Sequence, residues 1–260
     1  MSSGAAGLAC HKGWQEPGIL RVAGSITGII SPNQLNKPMA FQFEPSVVIE
    51  TIPMLMRGLK LTVQLTVGGL FFGFILGSAA GLMKLSMNIF VRKLAGVYIE
   101  SIRGTPMLVQ AMFLYYGVPL AFGIRIPPIT AGVIIIAVNS GAYIAEIVRG
   151  AVQSINKGQM EAGRSIGLNH SQAMFYIIWP QALKRMIPPL GNQFIISLKD
   201  TSLLMVIGVG ELMRTGQEIT AVNFKAFEVY MAVALVYLAM TMSIAKAMKM
   251  LENKLNISKG

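Results

Sequence analysis

The chain has 260 residues, 53% hydrophobic and 13% charged, about half the charged share of an ordinary soluble domain. Its 22 Lys+Arg outnumber 11 Asp+Glu, but the charges fall between apolar runs instead of on one soluble face. That pattern argues against nucleic-acid binding and for a membrane protein with oriented loops. A single cysteine, Cys10, excludes an intrachain disulfide, and His11 and His170 form no ligand cluster.

Residues 1–38 contain no apolar run of spanning length and no secretory signal, and read as a flexible extension, with Met39 as an alternative start. Residues 44–60 are amphipathic and are expected on the outer surface, leading into the first span. Apolar stretches long enough for about 30 Å of hydrocarbon then follow at 61–83, 104–124, 126–145, 188–209 and 229–245. The expected fold is all-α and polytopic, with five transmembrane helices in one domain over 39–260.

Loop charge orients the spans. Lys84, Arg92 and Lys93 follow the first, Arg149, Lys157, Arg164, Lys184 and Arg185 the third, and Lys246, Lys249, Lys254 and Lys259 the fifth. The other connections carry only Arg125, Arg214 and Lys225. The positive-inside bias therefore places the N-terminus outside and the C-terminus in the cytoplasm, and makes 150–187 a cytoplasmic loop.

Polar residues within the spans are costly and carry the most information. Asn139, Tyr143 and Glu146 are spaced four and three apart, on one helical face. Asn139 falls near the middle of the bilayer, where interhelical hydrogen bonding and a place in a path are both open readings; Glu146 suits an ion pair with Arg103 or Arg149. Asp200 also falls near mid-membrane, about 100° around the helix from its neighbour Lys199. With Thr201 and Ser202, Asp200 either offers oxygens to an ammonium group or bonds to a neighbouring helix. Pro106, within Arg103-Gly104-Thr105-Pro106, should bend the second span beside Gln110. Gly68, Gly69, Gly73 and Gly77 suit close approach of another helix, in this chain or in a dimer.

One polar segment matches a family pattern. Glu161, Ala162 and Gly163, then Gly167, then nine residues and Ile177-Ile178-Trp179-Pro180, resembles the EAA loop of permease subunits of bacterial ABC importers. Gly163 stands where the family has alanine, and Trp179 where it has leucine. Further stretches, among them RGTPMLVQAMFLYYGVP and SLKDTSLLMVIGVGEL, resemble the polar amino acid uptake class from about Met39 to the C-terminus.

The resemblance implies a type I ABC importer permease fold in the bacterial inner membrane. It also implies a cytoplasmic coupling helix in which Glu161, Ala162, Gly163, Arg164, Ser165, Gly167 and Asn169 serve the docking of an ATPase subunit. The implied partners are that ATPase, a second permease subunit, identical or different, an extracytoplasmic amino-acid-binding protein and membrane lipid. No G-x-x-x-x-G-K-[ST] loop occurs in the chain, so ATP and Mg are expected on the ATPase and no cofactor on this subunit. The candidate substrate path comprises Gln110, Asn139, Tyr143, Asp200, Thr201 and Ser202, with Arg103, Pro106, Glu146 and Pro180 as structural or gating residues. Glutamine leads as substrate, with arginine, histidine, glutamate and cystine as alternatives. An ion-driven secondary carrier using Glu146 and Asp200 as relays is a different class, but the chain shows no inverted repeat. A purely structural membrane scaffold is the third reading.

Overall fold

Pro45, in the first turn, needs no backbone hydrogen bond to its nitrogen, and from it helix α1 (Pro45–Lys84) runs for 40 residues. At 1.5 Å per residue it is roughly 60 Å long, so the outer segment and first span expected from sequence are one continuous helix. The computed structural model describes residues 42–255, and from Glu44 onward they belong to one compact unit. The expected extension at 1–38 and the alternative start at Met39 lie outside the described residues.

Helix α2 (Ile89–Arg103) is capped by Asn88, whose side chain accepts the Phe90 N–H at 2.9 Å. Gly104 to Pro106 then break the chain, and α3 (Met107–Met112) passes through a π-helical turn (Phe113–Gly117) into α4 (Val118–Phe122). Pro106 therefore does more than bend a span: the two arms, Ile89–Arg103 and Met107–Phe122, meet at 102°. Helix α5 (Pro128–Gln153) follows. After it come the short α6 (Lys157–Ser165), α7 (His170–Ala173), a second π-helical turn (Met174–Ile178) and α8 (Trp179–Asp200). A 3₁₀ segment (Thr201–Ile207), α9 (Leu212–Asn223) and α10 (Ala226–Lys254) complete the order.

Both π turns precede a proline at the second position of the next helix, Pro119 in α4 and Pro180 in α8. A proline ring clashes with the carbonyl four residues earlier and supplies no N–H to it, and widening the turn relieves both problems.

By length and composition, three helices among the described residues suffice to cross a membrane: α1, α5 and α10. Counting the bent α2–α4 region as one crossing makes four. The all-helical expectation holds across the described residues, whereas five separate spanning helices do not emerge. The expected fourth span, 188–209, starts earlier, at Trp179, contains four charged residues in α8, and changes to 3₁₀ winding after Asp200.

Helix α1 packs along α5 at unusually short range. A β-carbon at Gly69 would lie 2.5 Å from Ile136 Cβ, one at Gly77 2.5 Å from the Gly141 carbonyl, and one at Gly81 2.8 Å from the Ala145 carbonyl. Gly73 meets Ser140 and Ala137 in the same way. The small-residue spacing thus serves contact within this chain, every fourth residue of α1 letting the backbones approach.

On the far side, Glu211 caps α9 while fully buried. Its carboxylate accepts the N–H groups of Met213 at 2.9 Å and Arg214 at 2.7 Å and the Tyr237 hydroxyl at 3.0 Å, and Thr62 Oγ1 accepts the Leu212 N–H at 3.1 Å. These bonds tie α1, α9 and α10 together. The Lys225 ammonium pairs with Glu44, which holds it above the ordinary lysine range.

Gly77→Val should lower the stability of the detergent-solubilised protein by about 1–3 kcal/mol through overpacking, read as a fall in thermal midpoint. Gly68→Ala, whose added carbon meets only Val133 at 3.8 Å, should leave the midpoint unchanged; equal losses would separate the glycine spacing from helix approach.

Candidate functional site

Three elements meet around a cavity of about 520 Å³: the α2–α3 corner, the middle of α5 and the second half of α8. The corner contributes Arg103, Gly104, Thr105, Pro106 and Met107, α5 contributes Asn139 and Tyr143, and α8 contributes Gln193, Ile196 and Asp200. Of the path residues read from sequence, Asn139, Tyr143 and Asp200 are brought together here, along with Arg103 and Pro106.

Gln110 lies just behind the wall and holds it in shape. Its Nε2 donates to the Ile102 carbonyl at 2.8 Å and to the Thr105 carbonyl and hydroxyl at 3.0 Å, while its Oε1 accepts from Asn139 Nδ2 at 3.0 Å. The corner at Pro106 leaves carbonyls without helical donors, and one amide side chain satisfies them while anchoring α5.

Thr201 is fully buried and donates to the Leu198 carbonyl at 2.7 Å, closing the α8 end. Ser202 lines another cavity with Lys199, Met213, Tyr230 and Tyr237. Adjacent Lys199 and Asp200 therefore face different spaces, in keeping with their angular separation.

Glu146 lies one turn beyond Tyr143 and meets both arginines considered for it. Arg149 Nη2 is 2.6 Å and Arg103 Nη1 3.8 Å from Glu146 Oε2. The Arg103 guanidinium also stands 5.4 Å from the centre of the Tyr143 ring, within cation–π range. The Asp200 carboxylate, by contrast, makes no hydrogen bond or ion pair within 4 Å among the described residues. The cavity thus offers a cation held in place from one side and a carboxylate free to accept from a guest.

Gln193, almost fully buried, was not singled out from sequence. Its Nε2 donates to Ser197 Oγ at 3.1 Å. The signal was present: Gln193, Ile196 and Asp200 are spaced three and four apart, the same single-face pattern that marks the α5 residues.

A second candidate surface lies on α6. Asn156 caps it by accepting the Gly158 N–H at 2.8 Å. Met160 and Gly163 turn inward, and a β-carbon at 163 would fall 2.6 Å from Ile177 Cδ1 and 3.2 Å from Ala173 Cβ. The glycine that replaces alanine here suits tight packing on the π turn. Glu161, Ala162, Arg164 and Ser165 remain exposed, as does Ile166. Gly167 ends the helix at φ 92°, a left-handed conformation that glycine adopts without strain. Asn169 and Gln172 then cap each other's backbone N–H at 2.9 Å in starting α7, so the Asn169 side chain is engaged locally. Pro180, exposed at the start of α8, follows the π turn.

Among the described residues, an all-helical fold with membrane-length helices and a polar cavity between them is that of a membrane protein. The match of residues 69–257 to the binding-protein-dependent transport system inner membrane components places the chain in that family. It is 50% identical over 217 residues to the glutamine transport system permease protein GlnP of Escherichia coli (strain K12), covering 83% of this chain and 99% of that one. It is 38% identical over 213 residues to the probable glutamine ABC transporter permease protein GlnM of Bacillus subtilis (strain 168), covering 82% and 98% respectively. A crystal structure of an amino acid ABC transporter with histidines superposes with a TM-score of 0.79 at 39% identity, over 82% of this chain and all of that one. The methionine transporter MetNI in an inward-facing conformation shares the fold, with a TM-score of 0.68 at 20% identity over 79% of this chain and 98% of that one.

Gln110→Leu should destabilise the solubilised protein by about 1–3 kcal/mol, because it leaves the buried Asn139 amide without its acceptor and removes the donor shared by the Ile102 and Thr105 carbonyls. Adding Asn139→Ala to that variant should cost less than Asn139→Ala alone, since their shared bond is already gone. Strictly additive losses in a thermal-unfolding cycle would show that the two side chains act separately.

Proposed function

We propose that this permease is the translocating subunit of an ATP-driven importer for a polar amino acid, with glutamine as the leading substrate. The observation that carries the reading is the cavity shared by Arg103, Asn139, Tyr143, Gln193 and Asp200. A zwitterion needs an acceptor for its ammonium and a donor for its carboxylate; Asp200 serves the first and Arg103 the second. Asn139 and Gln193 suit a side-chain amide, which both donates and accepts. Similarity to GlnP and GlnM supports glutamine over arginine, histidine, glutamate or cystine.

In this reading the chain crosses the membrane five times, through α1, the α3–α4 arm, α5, α8 with its 3₁₀ extension, and α10. The basic connections lie in the cytoplasm, so the N-terminus is outside and the C-terminus inside. Helix α6 is the coupling helix: its outward residues Glu161, Ala162, Arg164, Ser165 and Ile166 dock on an ATPase subunit, while Met160 and Gly163 bind it to the π turn and α8. Gly167 and the Asn169 cap set the angle at which it is presented. ATP and Mg bind to that ATPase, a second permease subunit completes the pathway, and an extracytoplasmic binding protein delivers the amino acid. ATP drives the cycle by binding one arrangement of the assembly more tightly than the other.

Asp200→Asn should reduce ATP-dependent glutamine uptake into proteoliposomes about 10- to 100-fold, matching about 1.5–3 kcal/mol for a bond to a charged group, with the ATPase still co-purifying. Normal uptake would remove Asp200 from the site. Replacing both Glu161 and Arg164 by alanine should instead release the ATPase subunit without lowering the permease's thermal midpoint. Retained co-purification and coupled ATP hydrolysis would exclude α6 as the docking element.

A further inference from the structure

Where α1 ends and α2 begins, a cleft of about 370 Å³ is lined by Lys84, Arg92, Lys93, Gly96, Val97 and Glu100. Lys84 Nζ is 3.2 Å from Glu100 Oε1, so that pair balances itself. Arg92 donates once, to the Ser86 carbonyl at 3.4 Å, and retains most of its donors. The Lys93 ammonium makes no hydrogen bond or ion pair among the described residues. Gly96 helps keep the cleft open, since a β-carbon there would fall 2.7 Å from Lys84 Nζ.

Beside these cations α2 carries an apolar stripe. Phe90, Leu94 and Val97 are spaced four and three apart and are 80%, 65% and 65% exposed. Met87, just before the helix, is 89% exposed. A basic cleft alone accepts any anion, and an apolar stripe alone accepts any hydrocarbon. Together, at the end of a membrane-length helix, they match one molecule that joins an anionic head to acyl chains.

We propose that this cleft binds an anionic glycerophospholipid, with its phosphate between Arg92 and Lys93 and its acyl chains along Phe90, Leu94 and Val97. Glu100 opposes the phosphate and is held off by Lys84. The site is separate from the polar cavity and from α6, and does not depend on which amino acid is carried.

The test is native mass spectrometry of the full-length permease in detergent, titrated with phosphatidylglycerol or phosphatidylethanolamine of identical acyl chains. The wild-type chain should favour phosphatidylglycerol. A charge near a lipid surface contributes about fivefold in affinity, so R92Q/K93Q should weaken phosphatidylglycerol binding about 30-fold and phosphatidylethanolamine, whose phosphate is balanced by its own ammonium, by less. E100Q, which removes the opposing carboxylate, should strengthen it, and this opposite sign keeps the test decisive if the double variant does not fold. Inorganic phosphate should not displace the lipid at equal concentration, because it has nothing to place on the apolar stripe. Displacement by phosphate would reduce the cleft to a plain anion site and overturn the proposal. So would unchanged phosphatidylglycerol binding in both variants.

Discussion

The close approach of α1 to α5 is the constraint from which the rest of the structure follows. Gly69, Gly73, Gly77 and Gly81 remove side chains from one stripe of α1 and bring it against Ile136, Ser140, Ile144 and Val148 on α5. In a membrane this contact gains little from excluding water, so it depends on dense van der Waals packing. With that stripe committed, the face carrying Asn139, Tyr143 and Glu146 lies about a third of a turn around α5. There it meets the α2–α3 corner and α8. The polar cavity is thus placed by a contact made mostly of glycine and aliphatic residues that do not line it.

A sharp corner inside a membrane protein requires its backbone groups to be satisfied within the protein. Here the corner and the polar wall solve that problem jointly. Gln110 supplies donors to Ile102 and Thr105 and then accepts from Asn139, so one side chain joins the break in the chain to α5. Arg103 has a similar double attachment, near Glu146 on one side and over Tyr143 on the other. Polar side chains engaged in this way fix the shape of the cavity, whereas the Asp200 carboxylate on its wall has no such attachment among the described residues.

Much of this was legible in the sequence because it rests on spacing. Glycines at intervals of four announce a close helix contact, and Asn139, Tyr143 and Glu146 announce a polar face. What escaped rests on details of backbone geometry or on partners distant along the chain. Helix α2 was hidden because Arg92 and Lys93 read as a connection, although Asn88 is a good cap. Gln110 read as a residue of the path, and only the three-dimensional corner reveals that its amide is already occupied by Ile102, Thr105 and Asn139. Glu211, whose partner Tyr237 lies 26 residues away, gave no local sign of burial. Gln193 could have been found by applying to α8 the spacing rule already used for α5.

The change of winding at the end of α8 has a geometric consequence. An α-helix advances about 1.5 Å and 100° per residue, whereas 3₁₀ winding advances about 2.0 Å and 120°. Asp200 stands at the boundary between the two, and Thr201–Ile207 continues in the tighter form to Gly208, at φ 81°. Each residue handed from one form to the other shifts everything beyond it by about 0.5 Å and turns it by about 20°. The segment is therefore a screw thread cut into the chain beside the polar cavity, able to convert small changes in local hydrogen bonding into combined translation and rotation of the loop that leads to Glu211.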